Sequence, residues 1–324
     1  MILVTGGAGY IGGTVARYLV SKDEEVVVLD SLISSNEEFV PKNTIFYKGD
    51  ISDEALLEEI LSKHKIDVCL HFAAFIEVSE SVSNPEKYFY NNFYKTSVLF
   101  TFLKNHGVNK IIFSSTAAVY GIPEYTPIDE AHKIKPINPY GASKYFVETL
   151  LESFSVAYDF KYVALRYFNA SGAWGEYGEN HNPETHLIPI ILDVALGVRD
   201  KLFVNGNDYD THDGTCVRDY IHVYDLATAH YKALKYLQDG GESKVINLGN
   251  GTGFSILEVI KTCEKITGKE IPYTVREKRP GDPATLVACD SLAKEVLGWT
   301  PRYPNIEDII ESAYEWHKIR IKEY

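Results

Sequence analysis

The first dozen residues restrict this chain more than any other stretch. An apolar run, Ile2-Leu3-Val4, passes directly into Thr5-Gly6-Gly7-Ala8-Gly9-Tyr10-Ile11-Gly12 and then into an amphipathic segment. Glycines between a strand and a helix permit a tight turn. They also let backbone N–H groups and the positive helix N-terminus approach a pyrophosphate. The motif can be read with Gly7, Gly9 and Gly12 or with Gly6, Gly9 and Gly12. A glycine motif alone is weak evidence, but a second apolar run follows and ends in Asp30. An acid at that point accepts hydrogen bonds from a ribose diol and repels a 2′-phosphate, which favours NAD over NADP. The alternative for Asp30 is a helix cap. In Gly49-Asp50-Ile51, Asp50 is placed either for an adenine amino group or as an N-cap.

Short β-branched runs recur between amphipathic stretches: Ile2-Val4, Glu25-Asp30, Ile45-Lys48, Val68-Phe72, Lys110-Ser114 and Tyr162-Arg166. Strands alternating with helices at this spacing argue for an α/β fold with a doubly wound parallel sheet of the Rossmann type. Between two of them, Glu54-Leu61 carries apolar residues at helical spacing, with Ser52 or Asp53 as its cap. After residue 169 the rhythm gives way to Gly-, Asn-, His- and Asp-rich stretches, 172–184 and 206–214, which read as long loops over a ligand. Alternation resumes with a strand at Tyr220-Val223, a helix near Asp225-Leu237 and a strand at Lys244-Leu248. The chain is expected to divide into a dinucleotide-binding domain, 1–169 plus 217–249, and a smaller discontinuous C-terminal lobe, 170–216 plus 250–324, that holds the substrate.

The net charge of −13 opposes binding to nucleic-acid backbones or anionic membranes. No stretch approaches the roughly 20 apolar residues of a membrane span. The apolar run at residue 2 leaves no room for a signal peptide. Cys69, Cys216, Cys263 and Cys289 lie far apart without metal-site spacing, so free thiols in a reducing cytoplasm are expected and no metal site is.

Two further stretches carry chemistry. Ile111 to Gly121 ends an apolar strand in three hydroxyls, Ser114, Ser115 and Thr116. Doubly wound folds bind ligands beyond the carboxyl ends of their strands, so this strand would deliver hydroxyls to the crevice. Pro139-Tyr140-Gly141-Ala142-Ser143-Lys144 precedes a helix with Phe146, Leu150, Leu151 and Phe154 on its apolar side. Tyr140 and Lys144, four residues apart, share one helical face. A phenol with a pKa near 10 needs a nearby cation to act as a base at neutral pH, and a hydroxyl beside it can relay the proton. In isolation the pair would be a surface aromatic next to a solvated lysine. The glycine loop and the hydroxyl strand end reverse that reading.

With these pieces together the chain resembles the extended short-chain dehydrogenase/reductase family, and within it the UDP-galactose (UDP-glucose) 4-epimerases, over essentially its whole length. The matching stretches are TGGAGYIG (5–12), GDI (49–51), HFAA (71–74), Asn91-Asn92, SSTAAVYG (114–121), NPYGASK (138–144) and RYFNASGA (166–173). Further on they are GNDYDTHDGTCVRDYIHVYDLA (206–227), NLG (247–249) and RPGDP (279–283). The resemblance implies Thr116, Tyr140 and Lys144 as the catalytic set. It implies NAD contacts from Gly6, Gly9, Tyr10, Ile11, Gly12, Asp30, Asp50, Ile51, Phe72, Ala73, Ala74, Asn91 and Phe168, with Ser114, Tyr140 and Lys144 bordering the same cofactor. The UDP-sugar would meet Thr116 and Tyr140 together with Asn169, His186, Leu187, Phe203, Asn205, Arg218, Tyr220, Arg279, Asp282 and Leu286. Arginine suits a diphosphate because its planar fork donates paired hydrogen bonds; either Arg218 or Arg279 could instead be an ordinary ion-pair partner.

The implied reaction is transient oxidation at C4 of the sugar, rotation of the 4-keto intermediate, and reduction from the opposite face, with NAD kept tightly bound. A 4,6-dehydratase of the same family carries an Asp-Glu pair after the threonine, where this chain has Ala117 and Ala118. A UDP-glucuronate 4-epimerase and a non-catalytic NAD-sensing scaffold are the other readings. Leu286 matches the residue that walls the sugar's 2-position, so N-acetylated UDP-sugars are expected as additional substrates; otherwise it is a core residue of a strand. The family pattern is broken at Phe75-Ile76-Glu77-Val78 and at His186, where an amide is usual. A homodimer through helices near Tyr88-Lys104 and Ser143-Tyr158 is implied by resemblance.

Overall fold

The computed structural model describes residues 1–181, 183–279 and 281–322. In chain order the strands are β1 (Ile2–Thr5), β2 (Val26–Asp30), β3 (Ile45–Lys48), β4 (Val68–His71), β5 (Lys110–Thr116), β6 (Lys161–Tyr167), β7 (Asn169–Ser171) and β8 (Ala173–Trp174). They continue with β9 (Tyr177–Gly178), β10 (Leu202–Asn205), β11 (Val217–His222), β12 (Lys244–Leu248), β13 (Gly253–Ser255), β14 (Tyr273–Arg276) and β15 (Thr285–Leu286). The helices used below are α1 (Tyr10–Val20), α2 (Glu54–Lys63), α3 (Lys95–Asn105), α4 (Pro139–Tyr158), α5 (Leu187–Ala195), α6 (Val223–Gln238), α7 (Ile256–Thr267) and α8 (Ile306–Lys322). No helix among the described residues is long and apolar enough to cross a membrane.

Seven strands form one sheet in the order β12-β6-β5-β4-β1-β2-β3. β1 is parallel to both β2 and β4, so the strand order reverses there and opens a crevice beyond the carboxyl ends. The inner strands are apolar at successive positions because helices cover both faces. Ile2 and Val4 pack towards α1 and α6, while Leu3 between them packs towards α2, α3 and α4. At the sheet edge β3 leaves Ile45 exposed. A separate apolar cluster joins α5, α7 and α8 to β10 through Ile188, Leu192, Val259, Ile260, Ile309, Ile310 and Val204.

The structure departs from the sequence reading at several edges. β5 runs to Thr116, so all three hydroxyls belong to the strand. The Tyr140-Lys144 pair does not precede its helix but forms the opening of α4, which Asn138 caps by accepting from Gly141 N at 2.8 Å. Phe146 lies outside the buried side of that helix, and Glu148 is inside it. Asp53, not Ser52 or Asp50, caps α2. The glycine-rich stretch 172–184 contains the antiparallel pair β8–β9. The region 88–104 includes a π-helical stretch, Phe89–Tyr94, leading into α3.

Glu148 explains how α4 is held. Arg166 on β6 donates from Nε to Glu148 Oε1 at 2.9 Å and from Nη2 to Oε2 at 2.5 Å, and Ser115 on β5 donates to the same carboxylate. Both charged residues are about as buried as the apolar core. Removing one partner of such a pair strands a desolvated charge, at a cost of about 3–5 kcal/mol. Arg166→Met should therefore lower stability by that amount in urea unfolding, with much of it regained in the double variant that also carries Glu148→Leu; a loss below about 1 kcal/mol would remove the pair from this role.

Candidate active site

The glycine loop sits at the point where the strand order reverses. Gly6 has φ +72°, and a Cβ there would fall 2.6 Å from Ala73 N; a Cβ at Gly12 would fall 2.3 Å from Gly6 O. A Cβ at Gly7 would also crowd Val28 Cγ1 at 2.8 Å, but the positive φ belongs to Gly6, which favours the reading with Gly6, Gly9 and Gly12. Gly9 begins α1 without a side-chain cap, so no side chain claims the first-turn N–H groups. Asp30 is no helix cap: its Oδ2 accepts from Ala8 N at 2.9 Å and its Oδ1 from Leu32 N at 2.8 Å. A turn that only glycine can make, a free helix N-terminus and a carboxylate at the end of β2 fit a dinucleotide.

The flanking residues close this cradle. Ala73, with Ala74 after it, follows β4 and lies against Gly6, while Phe72 packs on His230 at 4.9 Å. Tyr10 donates through its hydroxyl to Gly172 O at 2.6 Å, and Ile11 packs on the core beside α1. Asp50 pairs with Lys95 at 2.5 Å. Burial raises its carboxyl, but hydrogen bonds from Lys95 and Ser52 outweigh that and hold it below the usual range. Ile51 is buried beneath it. Asn91 donates to Asn92, which in turn pairs with both backbone groups of Phe75 and donates to Ser143 Oγ at 3.2 Å.

The three strand-end hydroxyls have different partners. Ser114 is hydrogen-bonded to the Tyr167 hydroxyl and Ser115 to Glu148. Thr116 accepts from Ala118 N at 3.1 Å, which leaves its own proton for Tyr140. Burial raises the Tyr140 phenol, and the hydrogen bond from Thr116 pulls it back. Lys144 is almost wholly buried, donates to Ser114 O at 2.7 Å and lies 5.0 Å over the Phe113 ring. Burial pushes its ammonium down to about 7, partly offset by Glu148. A shift of that size corresponds to roughly 5 kcal/mol of disfavoured charge. The close approach of α4 depends on Gly141, where a Cβ would fall 2.6 Å from Ala118 O. The set is thus a phenol, a hydroxyl and a poised amine in one crevice, which is the equipment of proton transfer to or from an alcohol.

The remaining residues come from β7, β10, β11, β15 and the segments next to them. Arg218 on β11 donates from Nη2 to Asp282 at 2.5 Å and from Nη1 to Val217 O at 2.8 Å, so the ion-pair alternative describes its present state. Leu286 stands opposite Arg218 in β15 and, with Phe168, packs on the turn after Thr116. Asn169 donates to Asp219 O at 2.9 Å and Tyr220 is buried. Phe203 is covered by the Arg276 guanidinium at 3.2 Å, with Asn205 beside Arg276 in register. Leu187 opens α5 and His186 precedes it. Arg279 is exposed, and its carbonyl accepts from Asp282 N at 3.2 Å. Sequence reading missed Glu148, Tyr167 and Arg276. Glu148 had a signal, since it continues the Tyr140-Lys144 face by one more helical turn.

A family model described as NAD dependent epimerase/dehydratase family matches residues 2–249. The UDP-glucose 4-epimerase of Halalkalibacterium halodurans is 49% identical over 319 residues, covering 98% of this chain and 95% of that protein. The crystal structure of UDP-glucose 4-epimerase from Bifidobacterium longum in complex with NAD+ and UDP superposes with a TM-score of 0.94 at 41% identity, covering 100% of this chain and 99% of that one. The UDP-Glc/GlcNAc 4-epimerase of Campylobacter jejuni does so with a TM-score of 0.86 at 42% identity, covering 98% and 99%.

The lowered Lys144 value makes a pH prediction. Between about pH 7 and the ordinary lysine value the folded chain holds fewer protons here than the unfolded chain, so this group's penalty on stability is full below that window and fades as pH rises through it. NMR of the ligand-free protein should show the Lys144 side chain titrating near pH 7, and lower still in Glu148→Gln; titration near 10 would contradict the buried ammonium.

Proposed function

The chain belongs to the NAD dependent epimerase/dehydratase family, and from that membership together with the site's geometry we propose that it interconverts UDP-glucose and UDP-galactose by inverting C4 of the sugar with bound NAD. The observation that carries this reading is the meeting of Thr116, Tyr140 and Lys144 beside the glycine cradle at the reversal point of the sheet. Bound NAD would supply reversible hydride exchange with C4 of the sugar. Gly6, Gly9 and Gly12 would admit its pyrophosphate and Asp30 would hold its ribose, with 1–169 and 217–249 as the dinucleotide-binding domain.

Tyr140 takes the proton of the 4-hydroxyl and gives it back, with Thr116 as relay. Lys144 favours the phenolate through its charge, and its depressed value lets it share the proton near neutral pH. Arg218 on β11 and Arg279 would hold the diphosphate between them, and Phe203 and Asn205 of the lobe formed by 170–216 and 250–324 would meet the nucleotide. Arg218 arrives already oriented by Asp282, so little side-chain freedom is lost on binding. Firm nucleotide contacts with few sugar contacts leave the 4-keto intermediate free to turn over. Ala117 and Ala118, which carry no acid or base, support epimerisation over dehydration.

Leu286, smaller than an aromatic wall, supports acceptance of UDP-N-acetylglucosamine and UDP-N-acetylgalactosamine, as does the likeness to the C. jejuni UDP-Glc/GlcNAc enzyme. The four unpaired cysteines support a cytoplasmic setting. A second copy of the chain is the partner proposed for the exposed aromatic face where Phe89 stacks on Phe146 at 5.6 Å. There Tyr90 is 57% exposed, Tyr94 53% and Tyr158 49%, and clustered exposed aromatics of this kind mark interaction sites.

A product assay with all four UDP-sugars tests the reading. Interconversion of the glucose and galactose forms is expected, and its absence with NAD present would sink the epimerase assignment. No turnover of the N-acetylated pair would remove the argument from Leu286. Tyr140→Phe should lower turnover by orders of magnitude while UDP binding persists. Light scattering should give twice the chain mass, falling to a single chain in Tyr90→Glu/Phe146→Glu; a monomeric wild type rejects the dimer.

A further inference from the structure

Four side chains away from the reacting phenol converge on one point. Glu179, His181, Glu184 and His186 each offer one ligand atom, and these atoms lie within 4.8 Å of one another. Glu179 Oε1 is 3.1 Å from His181 Nδ1 and 2.8 Å from His186 Nδ1, which is itself 3.0 Å from Glu184 Oε1. The glutamate side chains are only 6% and 4% exposed, and among the described residues no lysine or arginine pairs with either. Glu184 Oε1 also accepts from Thr185 N and His186 N, yet Oε2 of the same buried carboxylate has no hydrogen-bond partner among the described residues. An orphaned carboxylate oxygen in a desolvated site is costly unless something positive answers it.

We propose that Glu179, His181, Glu184 and His186 form a structural site for a divalent transition cation of the zinc type. Two imidazole nitrogens with two carboxylate oxygens suit such an ion, whereas magnesium and calcium demand six or more oxygen donors. Bonds of about 2.0–2.2 Å place tetrahedral ligand atoms roughly 3.4 Å apart, so the pairs at 2.8–3.1 Å have to open by about half an ångström and any pair near the 4.8 Å limit has to close by little more than one. The ligands lie on the segment between β9 and α5. The Tyr10 ring at the start of α1 stands edge-on to His181 at 6.4 Å, and Trp316 of α8 donates to Glu179 O at 2.9 Å. The ion would fasten this segment between the glycine loop and the second lobe. Ligation through Nδ1 would also fix His186 with its proton on Nε2, on a ring that is 41% exposed.

The test uses the enzyme with its dinucleotide retained, stripped of metal by a chelator, dialysed, and titrated with zinc chloride by calorimetry, with magnesium chloride as the comparison. Saturation at one zinc per chain is expected, with a melting temperature raised by several degrees and no competition from magnesium. Glu184→Gln and the milder His181→Ala, each checked for native circular dichroism, should weaken zinc binding at least about tenfold. Folded wild-type protein that takes up no zinc would overturn the proposal and leave a protonated His186 as the group that holds the carboxylates together. Unchanged zinc affinity in the folded variants would overturn it equally.

Discussion

A carboxylate that never faces the crevice decides where the chemistry can happen. Glu148 is clasped by Arg166 from β6 and by Ser115 from β5, one helical turn after Lys144 on the same face of α4. That clasp fixes both the axial position and the rotation of the helix against the strand ends. Tyr140 and Lys144 then have no freedom to drift from Thr116. Arg166 extends the network to the Tyr120 hydroxyl at 3.0 Å, and Tyr120 donates to Asn247 at 2.7 Å on β12. Three neighbouring strands and the catalytic helix therefore share one set of buried polar bonds.

Charge is distributed in the opposite sense to the whole molecule. The chain carries a net −13, yet the crevice collects Lys144 and Arg218, whose local fields act over distances shorter than the screening length of physiological salt. His71 keeps a neutral ring beside Lys144: burial pushes its imidazole down to about 3, with further lowering from the lysine. It spends both nitrogens on Thr5 and Thr96.

The doubly wound sheet was legible because parallel strands covered on both faces must be apolar throughout, and that produces uninterrupted runs such as Val26-Val27-Val28-Leu29. The glycine cradle and the Tyr140–Lys144 pair were legible because their spacing is local. What stayed hidden was long-range: Arg166 looked like the polar end of a strand, and only the fold shows that its partner is a glutamate 18 residues earlier. The choice between two glycine readings was equally out of reach, since it turns on the left-handed backbone at Gly6. The cluster around His186 was half visible. The break in pattern was plain in the sequence, but its meaning needed Glu179 and Glu184 to be brought to the same place.

β12 joins the sheet beside β6, although the stretch between them carries β7 to β11 with α5 and α6. Asn247 and the last sheet strand become available only after more than three quarters of the chain has been made. During synthesis Tyr120 must therefore wait for its Asn247 partner, whereas Ser115, Glu148 and Arg166 are all present once residue 166 has been made. The clasp on α4 can thus close well before the sheet is complete, and a ribosome stalled before residue 244 would hold that clasp with the edge of β6 still lacking its neighbour.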